Sequence, residues 1–296
     1  MYNIFFIAPL YFCRMKRLAF SLLFLLGAFR VWAQMGIAYI SIDAGGAVQQ
    51  IHGTSPDETG YDGNTEPNVR PFITDDARVV GNRLAQLESW VRIDKESGQH
   101  WVLAAYGPNK KLELTAGGVY GYEKEPNSKK MFSYALPLLQ AKYLVKEYGA
   151  GQLPGLGVVA GTFLPVGSGA FKPAGYGTFA FATISQCIGK QEDVLIHANI
   201  GGNYLHIDGA DELINTWGFG TQVKVYRGMH LVAELFSGDP YIPGTGTAYQ
   251  LGYRYFFNDL LQVDMTIGKG FAGEVIMPLW VSAGVRLVTE RFLKKK

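Results

Sequence analysis

The stretch TAYQLGYRYFFNDLLQVDMTI, residues 247–267, decides the fold class of this chain. It contains two runs of alternating side chains, separated by the short connection Phe257–Asp259. The apolar positions of the two runs are Tyr249, Leu251, Tyr253, Tyr255, Leu261, Val263, Met265 and Ile267. Because successive side chains of a β-strand point to opposite faces, each run predicts a strand with one apolar and one polar face. The tight connection predicts that the two strands pair antiparallel.

The same alternation continues on both sides of this stretch, from Arg83 to Leu287. Each run ends near Gly, Pro, Asn or Asp, the residues that favour turns. Twelve strands are predicted, over Leu84–Ile93, Gln99–Tyr106, Lys111–Tyr122, Met131–Glu147, Leu156–Leu164, Thr178–Cys187, Val194–His206, Ile214–Tyr226, His230–Ser237, Thr247–Phe256, Leu260–Ile267 and Met277–Leu287. The chain is therefore predicted to be all-β from Arg83 onward.

A soluble β-sandwich shows the same alternation, so three further features decide between the two architectures. A typical segment length of about 9–11 residues matches a tilted transmembrane strand, whereas ordinary strands have about 5–6 residues. Aromatic side chains gather near segment ends, as in interfacial girdles, at Tyr120, Tyr122, Trp217, Tyr253 and Tyr255. The N-terminus carries an export signal. These features favour a transmembrane antiparallel β-barrel of about twelve strands, with ten or fourteen as alternatives.

The connections between the segments favour an even strand number. Tight connections follow the even-numbered strands at Gly107–Lys110, Gly189–Asp193, Arg227–Met229 and Phe257–Asp259. Longer ones follow the odd-numbered strands at Glu123–Lys130, Pro165–Gly177, Ile207–Leu213, Gly238–Gly246 and Gly268–Ile276. Two connections depart from the rule, because Asp94–Gly98 is short and Tyr148–Gly155 is long. Outer-membrane barrels place short turns in the periplasm and longer loops outside, which is the parity seen here.

The N-terminal residues predict export from the cytoplasm. Residues 1–33 contain the basic start Met15-Lys16-Arg17, an apolar run of twelve residues and a small residue, Ala33, before Gln34. That is the pattern of a secretory signal peptide, and a run of twelve is too short to span a bilayer. Met15 is an alternative translation start. We expect residues 34–82 to be an irregular lead-in, periplasmic or lumenal, followed by the barrel at 83–292 and a basic tail at 293–296.

Composition excludes several functional classes. The chain has 296 residues with 18% charged positions, a formal net charge of +2 and 37 glycines, which fit the turns and bends of a closed sheet. Residues 1–33 hold four of the 27 basic residues and no acidic ones, which leaves 23 basic and 25 acidic residues. Such a balance gives no basic field for nucleic acid. Only Cys187 remains after cleavage, so we predict no intramolecular disulfide, and we predict no metal and no cofactor.

The segment before the first strand resembles a known family. Its sequence is RPFITDDARVV at residues 70–80, followed by QLESW at residues 86–90. The motif residues are Pro71, Thr74, Asp75, Asp76, Glu88 and Trp90. With Tyr176-Gly177, Asn199–Gly202 and Leu231–Glu234 downstream, the region from Arg70 to Phe292 is similar to the family of outer-membrane β-barrels labelled MetA-pathway of phenol degradation, or transporter. The resemblance implies an outer-membrane pore for small solutes, including small aromatic or apolar compounds.

The polar faces of the predicted strands would line the barrel lumen. The lumen-lining candidates are Glu88, Arg92, Glu113, Lys142, Lys146, His197, Asn199, Lys224, Glu234, Arg254, Asp264 and Arg286. Six cations and four anions in this set form no ring of one sign, so weak ion selectivity is predicted. Charges that only brace the barrel wall are the alternative.

Three sequence features could indicate catalysis or ligand binding, and each also has a structural interpretation. His197 and Asn199 lie on one strand, with Ser185 on the strand before, and a phospholipase barrel places such residues on its outer wall. The alternation instead points His197 and Asn199 into the lumen, so no catalytic residue is assigned. The G-x-G-x-x-G match at Gly268–Gly273 is predicted to be an outer loop, since no helix follows it. Asp75 and Asp76 are expected to cap a turn.

The sequence thus predicts a porin-like barrel in the bacterial outer membrane. We expect passive passage of small solutes through a polar lumen, gated by loops such as Pro165–Gly177. Expected partners are outer-membrane lipid, a small-molecule solute and the barrel assembly machinery, with no nucleic acid. The sequence does not define the oligomeric state. A lipid-acting outer-membrane enzyme and a structural or adhesin barrel without transport are the alternatives.

Overall fold

A computed structural model describes residues 73–124, 130–149, 152–189, 193–207, 209–237, 246–273 and 276–289. The predicted signal peptide, most of the predicted lead-in, Pro71 and the basic tail lie outside the described residues. None of the helices in the described residues is long and apolar enough to cross a membrane.

The described chain is built from strands and one short 3₁₀ turn. The long strands are β1 (Ala85–Asp94), β2 (Ser97–Tyr106), β3 (Leu112–Lys124), β4 (Lys130–Lys146), β5 (Gly155–Phe163), β7 (Tyr176–Ile188), β8 (Val194–Ile207), β9 (Ala210–Tyr226), β10 (Met229–Ser237), β11 (Thr247–Phe256), β12 (Leu261–Ala272) and β13 (Trp280–Val288). A two-residue strand, β6 (Gly167–Ser168), precedes the 3₁₀ turn Gly169–Phe171.

The twelve long strands form a closed antiparallel barrel. Each pairs antiparallel with its neighbours along the chain, and β1 closes the sheet by pairing with β13 as well as with β2. β4 likewise pairs with both β3 and β5. The predicted all-β fold and the predicted number of strands are confirmed.

The predicted outer loop Ile207–Leu213 is wrong. β8 runs to Ile207 and β9 begins at Ala210, so the two strands continue almost to the tip of a tight hairpin. Gly209 has a φ of +80° there, which a glycine adopts without steric cost. His206 and Asp211 face each other across the hairpin, with His206 Nδ1 2.6 Å from Asp211 Oδ1, and this pair stabilises the extended strands.

The predicted loop at Gly268–Ile276 is also shorter than expected. β12 continues to Ala272 and its residues Gly268–Ala272 keep their pairing with β11. Most of the G-x-G-x-x-G match therefore lies on a strand. Glycine allows the close approach here, because a Cβ at Gly270 would lie 2.5 Å from the backbone nitrogen of Met277.

The two faces of the barrel wall have opposite chemistry. Along β12, Gln262, Asp264 and Thr266 are buried, whereas Met265 and Ile267 are exposed. The same inversion, with polar residues buried and apolar residues exposed, is the mark of a wall that faces lipid outside and a lumen inside. Residues 81–84 and the connections that follow β2, β9 and β11 lie at one end of the barrel, which we call the periplasmic end. The other end, which includes the β8–β9 hairpin, is called the outer end.

Candidate channel lumen

Residues Ile73–Val80, called the lumen segment below, lie inside the barrel. Ala77 is fully buried, and Thr74, Asp75 and Asp76 are each at most 3% exposed. The segment enters at the periplasmic end, next to Gly81. It donates hydrogen bonds to inward-facing side chains of β3, β7, β8 and β10, and Lys142 of β4 donates one to it. Residues 73–80, which belong to the predicted lead-in, therefore lie within the lumen.

Glu234 on β10 holds the tip of the lumen segment. Its carboxylate accepts hydrogen bonds from the backbone N–H of Ile73 at 3.2 Å and from the Thr74 hydroxyl at 2.6 Å. Gln250 Nε2 donates a third bond at 2.5 Å. Since the Thr74 hydrogen points to Glu234, the Thr74 oxygen accepts from His197 Nε2, which lies 2.8 Å away. The tip is therefore fixed by one continuous network.

Two glycines on β9 make room for this tip. A Cβ at Gly218 would collide with the Thr74 methyl group. A Cβ at Gly220 would lie 2.5 Å from the Thr74 hydroxyl oxygen and would also collide with His197. Glycine on this strand therefore serves the close approach of the lumen segment to the wall.

Asp75 is bound through both its backbone and its side chain. The Asn199 amide accepts from the Asp75 N–H at 2.7 Å and donates to the Asp75 carbonyl at 2.8 Å. Thr183 donates to the same carbonyl at 2.6 Å. Lys142 Nζ lies 2.7 Å from Asp75 Oδ1 in an ion pair whose side chains are both almost fully buried. Burial raises the pKa of Asp75 to about 6, and the Lys142 ammonium opposes that shift.

Asp76 behaves differently from Asp75. Its carboxylate accepts from the Arg78 backbone N–H at 2.8 Å and from the Arg78 guanidinium at 3.1 Å. Asp76 thus caps a local turn, as predicted, whereas Asp75 is used for attachment to the wall. Closer to the periplasmic end, the Ala77 N–H donates to Ser185 Oγ at 2.9 Å, and the Val80 N–H donates to Glu113 at 2.6 Å.

A second polar network lines the wall formed by β1, β13, β12, β11 and β9. Gln86 links two of its charges, because its amide donates to Glu88 at 2.6 Å and accepts from Arg286 Nε at 2.7 Å. Arg254 donates to Gln222 at 2.6 Å and stands opposite Asp264 in the pairing of β11 with β12. Gln86 therefore connects two charges along the wall, and Gln222 binds a third.

Ten of the twelve lumen-lining candidates lie where the alternation predicts them, within the lumen. Eight are less than 9% exposed: Glu88, Arg92, Lys142, His197, Glu234, Arg254, Asp264 and Arg286. Glu113 and Asn199 are partly exposed and bind the lumen segment. Lys224 keeps the inward parity but is exposed near the periplasmic end of β9. The prediction for Lys146 is wrong: the pairing of β4 with β5 skips Val145, which places Lys146 opposite Leu156 and leaves it exposed.

The lumen also contains apolar side chains that the sequence analysis missed. One cluster consists of Leu138, Val159, Phe179 and Phe181, and another of Phe236, Ala248, Met277 and Trp280. Ile73 of the lumen segment packs against the second cluster. Arg92 lies over the Trp280 ring at 4.5 Å, and Trp90 stacks on Trp101 with ring centroids 5.6 Å apart. The inward positions of Phe179 and Phe181, between outward Ala180 and Ala182, were the available sequence signal.

The lumen segment and the second cluster leave little space around Thr74. The cavity there measures about 20 Å³ and is lined by Ile73, Phe181, Asn199 and Phe236 among others. That volume is about enough for one water molecule. Within the loop predicted as a gate, Pro165–Gly177, the short strand β6 pairs with Tyr134 and Ala135 of β4. Within the described ranges, no group of three or more His, Cys, Asp or Glu side chains is arranged to hold a metal ion.

A closed antiparallel barrel of twelve strands with lipid-facing apolar and inward polar side chains is the architecture of outer-membrane β-barrel proteins. Residues 71–289 match the family described as Uncharacterised conserved protein UCP029691, and the chain belongs to that family. A comparison with curated proteins finds no match for the chain.

Solved structures of outer-membrane channels share the fold. The COG4313 outer membrane channel from Pseudomonas putida F1 is 11% identical, with a TM-score of 0.50 over 70% of this chain and 94% of that chain. KdgM porin is 8% identical over 68% of this chain and 98% of that chain, with a TM-score of 0.47. NanC porin is 9% identical over 69% and 98%, with a TM-score of 0.45. At these identities the likeness concerns the fold alone.

Proposed function

We propose that this protein is an outer-membrane pore for the passive passage of small solutes, and that the lumen segment must be displaced for passage. The observation that carries the proposal is the polar attachment of Ile73–Val80. Its tip is bound to Glu234, His197, Asn199 and Lys142, which are side chains that water can solvate once the segment leaves. Each such hydrogen bond contributes only about 0.5–3 kcal/mol net, because water binds the same wall groups when the segment is absent.

We further propose that small aromatic or apolar compounds are among the solutes. The resemblance to the phenol-degradation family suggests this class. The inward-facing clusters around Phe181 and Trp280 support it, because aromatic rings pack favourably against other rings. The wall of Glu88, Arg254 and Arg286 would carry the polar end of such a solute or its water. The bacterial outer membrane, its lipid and the assembly machinery of barrels remain the proposed surroundings.

The decisive experiment is conductance of the purified protein in planar lipid bilayers. Glu234→Ala removes the acceptor of the tip and should increase the current, because Ile73 and Thr74 lose their common partner. Arg254→Ala, on the neighbouring strand β11, removes an inward-facing cation and should also change the conductance. Leu251→Val, a change on the exposed face of β11, is the matched control and should leave the current unaltered. Absence of current from the wild-type protein and from Glu234→Ala would refute the pore.

Solute class is tested separately by flux into liposomes. Benzoate and glucose are suitable probes, since the first carries a ring and the second does not. Faster entry of benzoate that slows when Phe181 is replaced by Ser would support aromatic solutes. Equal rates for both probes would contradict that choice while leaving the pore itself intact. An adhesin barrel would give no flux, and its binding activity would be lost when the outer loops are trimmed.

A further inference from the structure

Three polar side chains form a hydrogen-bonded chain on the lipid-facing wall, from the middle of β1 to the outer halves of β2 and β3. Ser89 of β1, His100 of β2 and Tyr120 of β3 all occupy outward positions, since their strand neighbours Trp90 and Trp101 point inward. His100 Nε2 lies 2.7 Å from Ser89 Oγ, and His100 Nδ1 contacts the Tyr120 hydroxyl. Polar side chains are costly on a lipid-facing wall, and an ionisable one there is a candidate functional group.

The connectivity of this chain suits a serine nucleophile. In the tautomer with the proton on Nδ1, His100 donates to the Tyr120 oxygen and presents the lone pair of Nε2 to the Ser89 hydroxyl. That is the arrangement in which a base accepts the nucleophile's proton while a third group orients the base. His197, which the sequence analysis considered as a catalytic histidine, faces the lumen and binds Thr74 instead.

An apolar depression lies next to the chain on the same wall. It measures about 880 Å³, and small outward side chains at Ala104, Ala116, Ala141 and Ala160 form its floor. Leu87 lines it two residues along β1 from Ser89, a rise of about 7 Å. From the outer interface inward, the order is therefore Tyr120, His100, Ser89 and then the depression.

We propose that Ser89 and His100 are the catalytic residues of a lipid-facing acyl-ester hydrolase site, with Tyr120 as a positioning residue and the alanine-floored depression as the acyl-chain site. The occupant is the ester-linked acyl chain of a membrane lipid, because the site opens only toward the bilayer. Tyr120 lies in the predicted aromatic girdle, where lipid ester groups meet the hydrocarbon region. The proposal is independent of the pore, since the site and the lumen are on opposite faces of the wall.

The reaction balances without a cofactor. Ser89 Oγ attacks the ester carbonyl carbon while its proton passes to His100 Nε2, and the alcohol leaves with that proton. Water then attacks the acyl-serine carbonyl, again with His100 as base, and releases the fatty acid and the free hydroxyl.

The test uses the full-length protein in phosphatidylethanolamine vesicles and a hexadecyl fluorophosphonate. This probe forms an Oγ–P bond and releases fluoride, and the modified residue is identified by peptide mass spectrometry. We expect the adduct at Ser89, and release of nitrophenol from p-nitrophenyl palmitate. Ser89→Ala should abolish both, and His100→Gln should lower the labelling rate about 100-fold or more. Ser282→Ala, on the inward face of β13, is the matched serine control and should react normally.

Two further variants separate catalysis from structure. Tyr120→Phe keeps the ring and should lower the maximal labelling rate without changing the half-saturating probe concentration. Ala104→Phe fills the depression and should slow the hexadecyl probe but not an ethyl fluorophosphonate. Heat-modifiable gel migration verifies that every variant is folded. Labelling elsewhere than Ser89, no labelling at all, or an equal rate in His100→Gln would overturn the proposal, whatever the conductance of the same samples.

Discussion

Substitution of Gly218 by alanine should release the lumen segment while leaving the barrel intact. The added Cβ would collide with the methyl group of Thr74, whereas its next contacts, with Thr74 Cβ at 3.5 Å and Phe236 Cβ at 3.6 Å, are ordinary. The Thr74 methyl and hydroxyl share one carbon, so displacement of the side chain breaks the 2.6 Å bond to Glu234. A shift of the Thr74 backbone also moves the adjacent Ile73 N–H out of its 3.2 Å bond to the same carboxylate. Relief of the clash therefore detaches the tip of the lumen segment from Glu234.

The expected size of the effect follows from the bonds lost. Ile73 and Thr74 both donate to the Glu234 carboxylate, and a hydrogen bond to a charged group contributes about 1.5–3 kcal/mol. Loss of both weakens attachment by about 3–6 kcal/mol. At about 1.4 kcal/mol per tenfold change, the displaced fraction should rise by about 100-fold or more.

Single-channel recording in planar bilayers measures that fraction as open probability. Gly202→Ala is the matched control, because a Cβ there meets the Ile214 carbonyl oxygen at 3.2 Å and no residue of the lumen segment. The reasoning is refuted if Gly218→Ala, with normal heat-modifiable migration, conducts like the wild type. An unfolded Gly218→Ala barrel would equally contradict it, since the added methyl group would then have destabilised the barrel wall and not only the lumen segment.

Three further outcomes are expected. Lys142→Met leaves the Asp75 carboxylate buried without its cation, so it should weaken the free energy of attachment of the lumen segment by about 3–5 kcal/mol. Protection of residues 73–80 from protease measures this change, with Lys146→Met, at an exposed site, as the control. Equal protection in Lys142→Met and the wild type would contradict the prediction. Reversal potentials in a salt gradient should show weak selectivity that shifts toward cations in Arg286→Gln, while an unchanged potential would mean that Arg286 only braces the wall. Unboiled protein should migrate faster than boiled protein on gels, and identical migration would contradict a closed barrel.

The barrel could be predicted from the sequence because lipid contacts one face of the wall and a polar lumen the other. Apolar and polar residues therefore alternate along each strand with a period of two. The limits of β11 were predicted to the residue, and those of β8 to within one. The outer ends of β9 and β12 were missed because their extensions, such as Ala210–Leu213, have no clean alternation. Cross-strand pairing, as between His206 and Asp211, holds such ends, and pairing cannot be seen along one strand.

The lumen was predictable in its wall but not in its contents. Parity placed Glu234 and His197 inside, since it requires only the neighbouring residues on the same strand. The attachment of Thr74 and Asp75 joins residues more than 100 positions apart, and a local pattern carries no information about such contacts. Lys146 failed for a related reason, because one skipped residue, Val145, reverses the parity of every residue after it.

The position of the lumen segment before β1 constrains the order of assembly. The wall closes only when β1 meets β13, and the hydrogen bond between Gln86 and Arg286 joins residues 200 positions apart. Contacts of such separation form late, because a long loop must be closed first. The sheet must therefore curl around the lumen segment, which is synthesised before it. The pairing of β1 with β13, formed last, then encloses the lumen segment. In a variant that does not bind the lumen segment, the barrel should therefore close faster, because the sheet no longer has to bind the segment before β1 pairs with β13.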